Sequence, residues 1–180
     1  MLKPTCLIAA LLFAGPVLAQ SAEDEAAIKA VSDHLMAVTL SGDMTPTVDM
    51  MAPGIIAAGA EMTSLDPEKF KDMMRLQVAQ MKDVAEFREA EMSVDAMTWH
   101  ETGDGTPYAL IPTHSVIAMK SESGGRQVFE QNSQTLALQD GGAWYLVRVS
   151  DPAQQQMLTD AYPSFAGVSF PAATTEVIEE

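Results

Sequence analysis

Alternation of hydrophobic and polar residues predicts three consecutive strands in the second half of the chain. They run over Tyr108–Met119, Val128–Gln139 and Ala143–Val149 and are rich in β-branched and aromatic residues. Between them lie Ser121–Gly125 and Asp140–Gly142, whose Gly, Ser and Asp residues are typical of hairpin turns. We therefore expect an antiparallel meander, and other elements must cover at least one of its faces.

Outside the meander, apolar residues recur mostly at helical spacing. Asp66 and Asp151 are each followed by proline, which is typical of the cap and first position of a helix. Between the third predicted helix and the meander, the apolar spacing changes to every second residue, which indicates a strand. The pattern predicts helices over Ala22–Leu40, Thr45–Met51, Pro67–Asp83 and Pro152–Ala161, a brief strand over Gly54–Ala58, and a strand over Glu86–Trp99.

The first 19 residues have the pattern of a secretory signal peptide. Lys3 precedes the apolar run Cys6–Ala14, and Val17–Ala19 resembles a cleavage site. The run is too short to cross a bilayer, although an uncleaved anchor is the alternative interpretation. We expect a periplasmic or secreted protein with one domain over residues 20–170 and a disordered acidic tail over residues 171–180.

The composition narrows the range of partners. With 25 acidic and 10 basic residues the formal charge is −15, which argues against nucleic acid and anionic membranes as partners. The only cysteine, Cys6, lies in the predicted signal peptide, and the three histidines show no metal-ligand spacing. The thirteen methionines are typical of core packing, with Cu(I) binding as the alternative. No cofactor is predicted.

The order of helices and strands, with the segment Asp140-Gly141-Gly142-Ala143-Trp144 leading into the last strand of the meander, resembles the nuclear transport factor 2-like superfamily. The resemblance to its SnoaL-like and ketosteroid-isomerase-like branches implies an α+β fold. In it a curved, mostly antiparallel sheet wraps around N-terminal helices as a cone, and a short helix follows. The superfamily includes isomerases, dehydratases, binding modules and dimerisation domains, so the fold leaves the function open. Ketosteroid isomerases use an aspartate base with a tyrosine and a protonated aspartate, whereas the nearest residues here are Glu130 and Asn132.

Strand parity places a group of polar residues on one face of the meander. If Gln139 pairs with Trp144, Leu136 and Leu138 share a face with Tyr145 at its apolar end. The polar end of that face carries Glu130, Asn132 and Gln134, and also His114 if the Ser121–Gly125 reversal pairs residues of equal parity. Such residues either line a ligand cavity or form the solvent-exposed face of the sheet.

Two histidines are candidates for acid–base chemistry. His114 and Glu130 form a general acid–base pair if burial shifts one of their pKa values. His34 borders the apolar stripe of the first helix and is either a second cavity base or a residue at the edge of the core.

Three functions fit these patterns. The first is an exported binding module for a small apolar ligand or a protein partner. The second is a cofactor-free isomerase, dehydratase or hydrolase that uses the His–carboxylate pair. The third is a homodimer formed through the other face of the sheet, around Trp144, Leu146 and Arg148.

Overall fold

The computed structural model of the protein describes residues 22–121 and 125–178. The predicted signal peptide therefore lies outside the described residues, as do residues 179 and 180 of the predicted tail. The helices are α1 (Ala22–Leu40), α2 (Pro53–Thr63), α3 (Pro67–Met81) and α4 (Pro152–Ala161), with 3-10 helices at Thr45–Met50, Val94–Ala96 and Pro163–Phe165. The strands are β1 (Ala85–Met92), β2 (Thr98–Glu101), β3 (Pro107–Lys120), β4 (Arg126–Asp140), β5 (Ala143–Arg148) and β6 (Thr174–Ile178).

The fold is α+β, as predicted, with N-terminal helices and a strongly curled antiparallel sheet. The long strands β3 and β4 pair along most of their length at its centre, from Tyr108–Leu138 to Lys120–Arg126. The outer strands are short and come in pairs: β1 and β2 both pair with β3, and β5 and β6 both pair with β4. Each side of the central hairpin is therefore covered by two strands with an interruption between them.

Pro112 explains the interruption on the β3 side. Its carbonyl accepts a hydrogen bond from the Ser93 amide at 2.9 Å, so its backbone nitrogen faces the same side. Proline has no N–H to donate, which favours a break in the ladder. Along β3, the pairing with β2 stops at Leu110 and the pairing with β1 starts at Thr113.

The turn between β4 and β5 is the two-residue hairpin that the sequence predicts. Asp140 pairs with Ala143, and Gln139 pairs with Trp144. Gly141 and Gly142 have φ values of 58° and 84°, as a type I′ turn requires. The predicted parity of this hairpin is confirmed, because Leu138 lies opposite Tyr145 and Leu136 opposite Val147.

Both faces of the sheet are covered around the β4–β5 hairpin. On one face, Ile28 of α1 packs against four buried residues: Ala109, Ile111, Ala137 and Trp144. On the other, Leu158 of α4, Ile55 of α2 and Phe165 pack against Tyr108, Leu110, Leu136 and Leu138. Val168 and Phe170 pack against this second cluster and attach the segment after α4 to the core.

Several predictions of local structure are wrong. Gly54–Ala58 belongs to α2, which begins at Pro53, because an isoleucine pair in a short apolar run fits a buried helix as well as a strand. Residues 174–178 form β6 instead of disordered chain, since the edge of β4 supplies backbone partners. The predicted strand over Glu86–Trp99 is divided into β1, a 3-10 turn and the start of β2.

The face proposed for a dimer is occupied by α1. Trp144 is 7% exposed, and its indole N–H donates to Asp24 of α1 at 3.0 Å. Leu146 packs partly buried against the same cluster, while Arg148 is exposed. Trp144 and Leu146 are therefore not an exposed apolar surface. Within residues 22–121 and 125–178, no helix combines the length and the apolar character needed to cross a lipid bilayer.

Candidate functional site

A pocket of about 360 Å³ lies over the middle of the β3–β4 hairpin. At this level both outer pairs of strands are interrupted. The helices that cover the sheet around the β4–β5 hairpin contribute no residue to the pocket. Its lining is mainly polar and consists of Ser93, Pro112, Thr113, His114, Asn132, Ser133, Gln134, Pro171, Ala172 and Thr174. The pocket therefore draws its lining from both central strands, from the segment after β1 and from the C-terminal segment.

The pairing register places Pro112 and four polar side chains of the lining on one face of the sheet. His114 lies opposite Asn132 and Pro112 opposite Gln134 in the β3–β4 ladder, and Thr174 of β6 lies opposite Asn132 on the other side. Paired residues point to the same face, so His114, Asn132, Gln134 and Thr174 converge on the pocket. The neighbouring Thr113 and Ser133 also line it but have the opposite parity, so their side chains lie on the other face of the sheet.

His114 is the centre of the polar contacts at the site. Its Nδ1 lies 3.1 Å from Oδ1 of Asn132 and 3.8 Å from Oε1 of Glu130. Its Nε2 lies 3.8 Å from Oε2 of Glu89. The imidazole is thus held by an amide and has a carboxylate near each of its nitrogens.

The direction of the His114–Asn132 hydrogen bond depends on which ring nitrogen carries a proton. An amide oxygen can only accept a hydrogen bond, so the bond to Asn132 requires a proton on Nδ1 of His114. In the neutral ring Nε2 is then an acceptor, and in the charged ring it is a second donor directed towards Glu89. The ring can therefore accept or donate at Nε2 without losing its contact with Asn132.

The surroundings of His114 are acidic. Glu91 lies opposite His114 in the β1–β3 ladder, and Glu176 lies opposite Glu130 in the β4–β6 ladder. Arg126, a basic side chain on the same face, forms an ion pair with Glu86 at the far end of β1. The pocket itself is lined by no lysine or arginine among the described residues.

The site is only partly shielded from water. The side chain of His114 is 32% exposed, that of Glu130 is 39% exposed and that of Glu89 is 70% exposed. The arrangement can form hydrogen bonds and stabilise a positive charge, and both side chains of the His114–Glu130 pair keep part of their contact with solvent.

The structure brings together most, but not all, of the predicted site residues. His114, Asn132 and Gln134 line the pocket, and Glu130 contacts His114 from beside it. Tyr145 lies on the same face but packs against the core at the hairpin end. His34 is exposed on α1, the helix that covers the opposite face, so the structure does not bring it to the pocket.

Sequence reasoning missed the C-terminal wall of the pocket. Pro171, Ala172 and Thr174 belong to the tail that was expected to be disordered, and only pairing with β4 brings them to the site. Ser93 was assigned to a continuous strand. The one local signal was Pro112, which cannot donate in the middle of a central strand and so marks an interruption there.

A second pocket, of about 400 Å³, lies between the start of α1 and the 3-10 turn after β1. Its lining includes Lys29, Glu25 and Asp95 but no histidine, and among the described residues no hydrogen bonds join these side chains across the space. In the described part of the chain, no group of three or more His, Cys, Asp or Glu side chains is placed to hold a metal ion.

Comparison with known proteins gives no relative from which a function could be transferred. No family model matches the chain, and neither a curated protein nor a solved structure does.

Proposed function

We propose that the protein is an exported binding module and that the pocket over the β3–β4 hairpin holds a small polar ligand, neutral or positively charged. The observation that carries the proposal is the convergence of His114, Asn132, Gln134 and Thr174 on one pocket. Concave sites with a few convergent polar groups are typical of small-molecule binding. The volume of about 360 Å³ is at the lower end of the range for such sites, roughly 300–1,000 Å³.

The lining favours a polar ligand over the small apolar ligand that the sequence suggested. An apolar ligand would cover the amides of Asn132 and Gln134 without forming hydrogen bonds to them, which is unfavourable. Glu89 and Glu130 beside His114 favour a cation over an anion, because an anion would be repelled by both carboxylates.

Binding can be tested with three compounds of similar size: arginine, the neutral citrulline and the anionic glutamate. Titrations followed by NMR should move the signals of the His114 ring and the Asn132 side-chain amide, with arginine binding best and glutamate worst. Asn132→Ala should weaken the binding about tenfold, since it removes a direct hydrogen bond of roughly 1.4 kcal/mol. The matched control is Gln139→Ala, exposed on the other face of the same strand. Equal effects of the two substitutions, or no titration by any compound, would contradict the proposal.

Export rests on the sequence pattern of residues 1–19 alone and is tested separately. Mass spectrometry of the protein recovered from outside the cytoplasm should find a mature chain that begins near Gln20. A full-length chain that remains in the cytoplasm would refute export but not ligand binding.

The contacts of His114 also favour a second candidate function, a cofactor-free hydrolase, isomerase or dehydratase. His114 would act as the base through Nε2 while Asn132 and Glu130 hold its Nδ1–H. With p-nitrophenyl acetate as the probe, His114→Gln should abolish hydrolysis and Glu130→Gln should lower its rate. A rate that matches free imidazole and is unchanged by Glu130→Gln would exclude this candidate.

The cone shape and the kinship to the nuclear transport factor 2-like superfamily are part of the proposal. They are supported by the order of the elements and by α1, which contacts the outer strands β1 and β5 on opposite sides of the hairpin. A helix enclosed by a curled sheet would make these contacts. An experimental structure in which α1 lies outside the curl would contradict this part of the proposal.

A further inference from the structure

The C-terminal segment forms one wall of the pocket. Pro171, Ala172 and Thr174 face the space from this side, and all three reach it because β6 pairs with Val128–Asn132 of β4. Without that pairing, the pocket would be open along the whole edge of β4.

β6 is attached to the sheet mainly through its backbone. Four of its five side chains are exposed, and only Ile178 packs, against Val116, Ala118 and Val128. Within the described residues, a single side-chain hydrogen bond joins β6 to β4, from Nε2 of Gln131 to Oγ1 of Thr175 at 3.5 Å, the limit of such a bond. In β5, by contrast, Trp144 is buried and Tyr145 and Val147 pack on the core.

One cross-strand pair opposes the docking of β6. Glu176 lies directly opposite Glu130, and like charges in this position destabilise a pair of strands. Elements with few buried side chains open locally at a small fraction of the global unfolding free energy.

We propose that residues 171–178 act as a strap: β6 undocks from β4 and redocks while the rest of the sheet stays folded, and the wall of the pocket opens and closes with it. This inference goes beyond the proposed function and needs no ligand for its test.

The strand geometry selects the amides that report undocking. Pro112 points its carbonyl to Ser93, away from β4, so Pro112 and Gln134 form a pair without mutual hydrogen bonds. Pairs of this kind alternate with hydrogen-bonded pairs along the β3–β4 ladder. The even-numbered residues of β4, like Gln134, therefore point their amides away from β3 and towards the outer strands. Glu130 and Asn132 therefore face β6, while Leu136 and Leu138 face β5.

Hydrogen exchange on the purified protein provides the test. The amides of Glu130 and Asn132 should exchange about 100-fold faster than those of Leu136 and Leu138, because only undocking of β6 is needed to expose them. Equal exchange rates for the two pairs would overturn the inference, since β6 would then open only when the whole sheet unfolds.

An engineered disulfide locks the strap without changing the pocket. Gln131 and Thr175 are register partners of odd parity in β4, so their side chains lie on the face away from His114. Because Gln131 turns its amide away from β6, it and Thr175 form a pair without mutual hydrogen bonds. The distance between the Cα atoms of such a pair is close to the distance between the Cα atoms of a disulfide. In the variant Q131C/T175C, oxidation should slow exchange at Glu130 and Asn132 and leave Leu136 and Leu138 unchanged. The reduced form of the same variant is the control.

The wall itself is tested by the reaction of histidines with diethyl pyrocarbonate. Oxidation of Q131C/T175C should slow the modification of His114 by roughly threefold or more, if undocking controls access. His34 and His100, both exposed and outside this edge, serve as internal controls. An unchanged rate at His114 would show that β6 does not close the pocket.

A substitution in the Glu130–Glu176 pair tests independently whether charge repulsion controls the docking of β6. Glu176→Gln should slow exchange at Glu130 and Asn132 about two- to fivefold by removing the repulsion. Glu101→Gln changes the net charge equally at the end of β2, away from β6, and should have no such effect. If both variants slow exchange alike, the Glu130–Glu176 pair does not control docking.

Discussion

At the scale of single residues, Ser32 is an unfavourable feature of the core. Its side chain is 1% exposed, and its hydroxyl has no hydrogen-bond partner among the described residues. Burying an unpaired hydroxyl costs about 1–3 kcal/mol. We expect Ser32→Ala to raise the free energy of unfolding in urea by about 1 kcal/mol. Ser41→Ala, which removes a hydroxyl bonded to the Val38 carbonyl at 2.7 Å, should lower it. A loss of stability in Ser32→Ala would show that this hydroxyl is satisfied.

Tyr162 joins three distant segments through one hydroxyl. It donates to Oδ2 of Asp140 at 2.7 Å and accepts from the Gly54 amide at 3.1 Å. The same Asp140 oxygen accepts from Gly54, and a Cβ on Gly54 would lie 2.5 Å from the tyrosine ring. Tyr162→Phe should lower the free energy of unfolding at pH 7 by about 1–2 kcal/mol. Tyr145→Phe is the control, since its hydroxyl bonds to none of the described residues.

The same tyrosine gives stability a dependence on alkaline pH. Burial raises the pKa of Tyr162, and the hydrogen bond to Asp140 raises this pKa further. With a folded pKa above the unfolded value of about 10, the contribution is complete below pH 10 and is lost as the pH rises above it. Urea titrations between about pH 9 and 11 should therefore show a shallower decline in Tyr162→Phe. Some slope remains, because burial also raises the pKa of Tyr108. An unchanged slope would contradict the assignment to Tyr162.

Among the secondary-structure elements, α3 and α4 have similar N-terminal caps but should contribute differently to the global unfolding free energy. Asp151 accepts from the amides of Ala153 and Gln154 at the start of α4, and Asp66 accepts from Glu68 at the start of α3. Leu158 of α4 is fully buried in the main core, whereas α3 buries only Phe70. Asp151→Ala should lower the global unfolding free energy by about 1 kcal/mol. Asp66→Ala should mainly increase hydrogen exchange within α3, and an equal global effect of both would contradict this difference.

Local signals were enough to predict most elements. Proline after a capping aspartate marked α3 and α4, and the Gly141–Gly142 turn set the register of β4 and β5, so Gln139 was correctly paired with Trp144. The placement of His114 on the face of Asn132 and Gln134 depended on the separate assumption of equal parity between β3 and β4, and it is correct. β6 could not be predicted in this way, because a short exposed strand is stabilised by a distant edge and not by its own sequence. For the same reason, the C-terminal wall of the pocket was not predicted.

His34 shows a different limit of sequence analysis. A residue beside an apolar stripe lies either at a buried margin or in solvent, and the periodicity of a helix does not distinguish the two. Whether His34 could reach the predicted cavity depended on which face of the sheet α1 covers. That choice is made by Ile28 and by the contact of Asp24 with Trp144.

At the scale of the whole molecule, charge repulsion works against stability. The formal charge is −15, and the described ion pairs lie at the surface, where each contributes little. Raising NaCl from about 0.02 to 0.5 M shortens the screening length severalfold, so we expect the melting temperature to rise by a few degrees. KCl should act equally. A fall in melting temperature would mean that favourable ion pairs outweigh the net repulsion.

The interrupted outer strands also affect how molecules meet one another. A long, flat strand edge offers a row of free backbone groups to neighbouring chains and promotes aggregation. Here β2, β5 and β6 have four to six residues each, and β1 has an irregularity between Phe87 and Glu89 and four charged side chains. Growth of fibrils by strand addition is disfavoured at each of these edges. The short outer strands that leave room for the pocket thus also help to keep the protein soluble at high concentration.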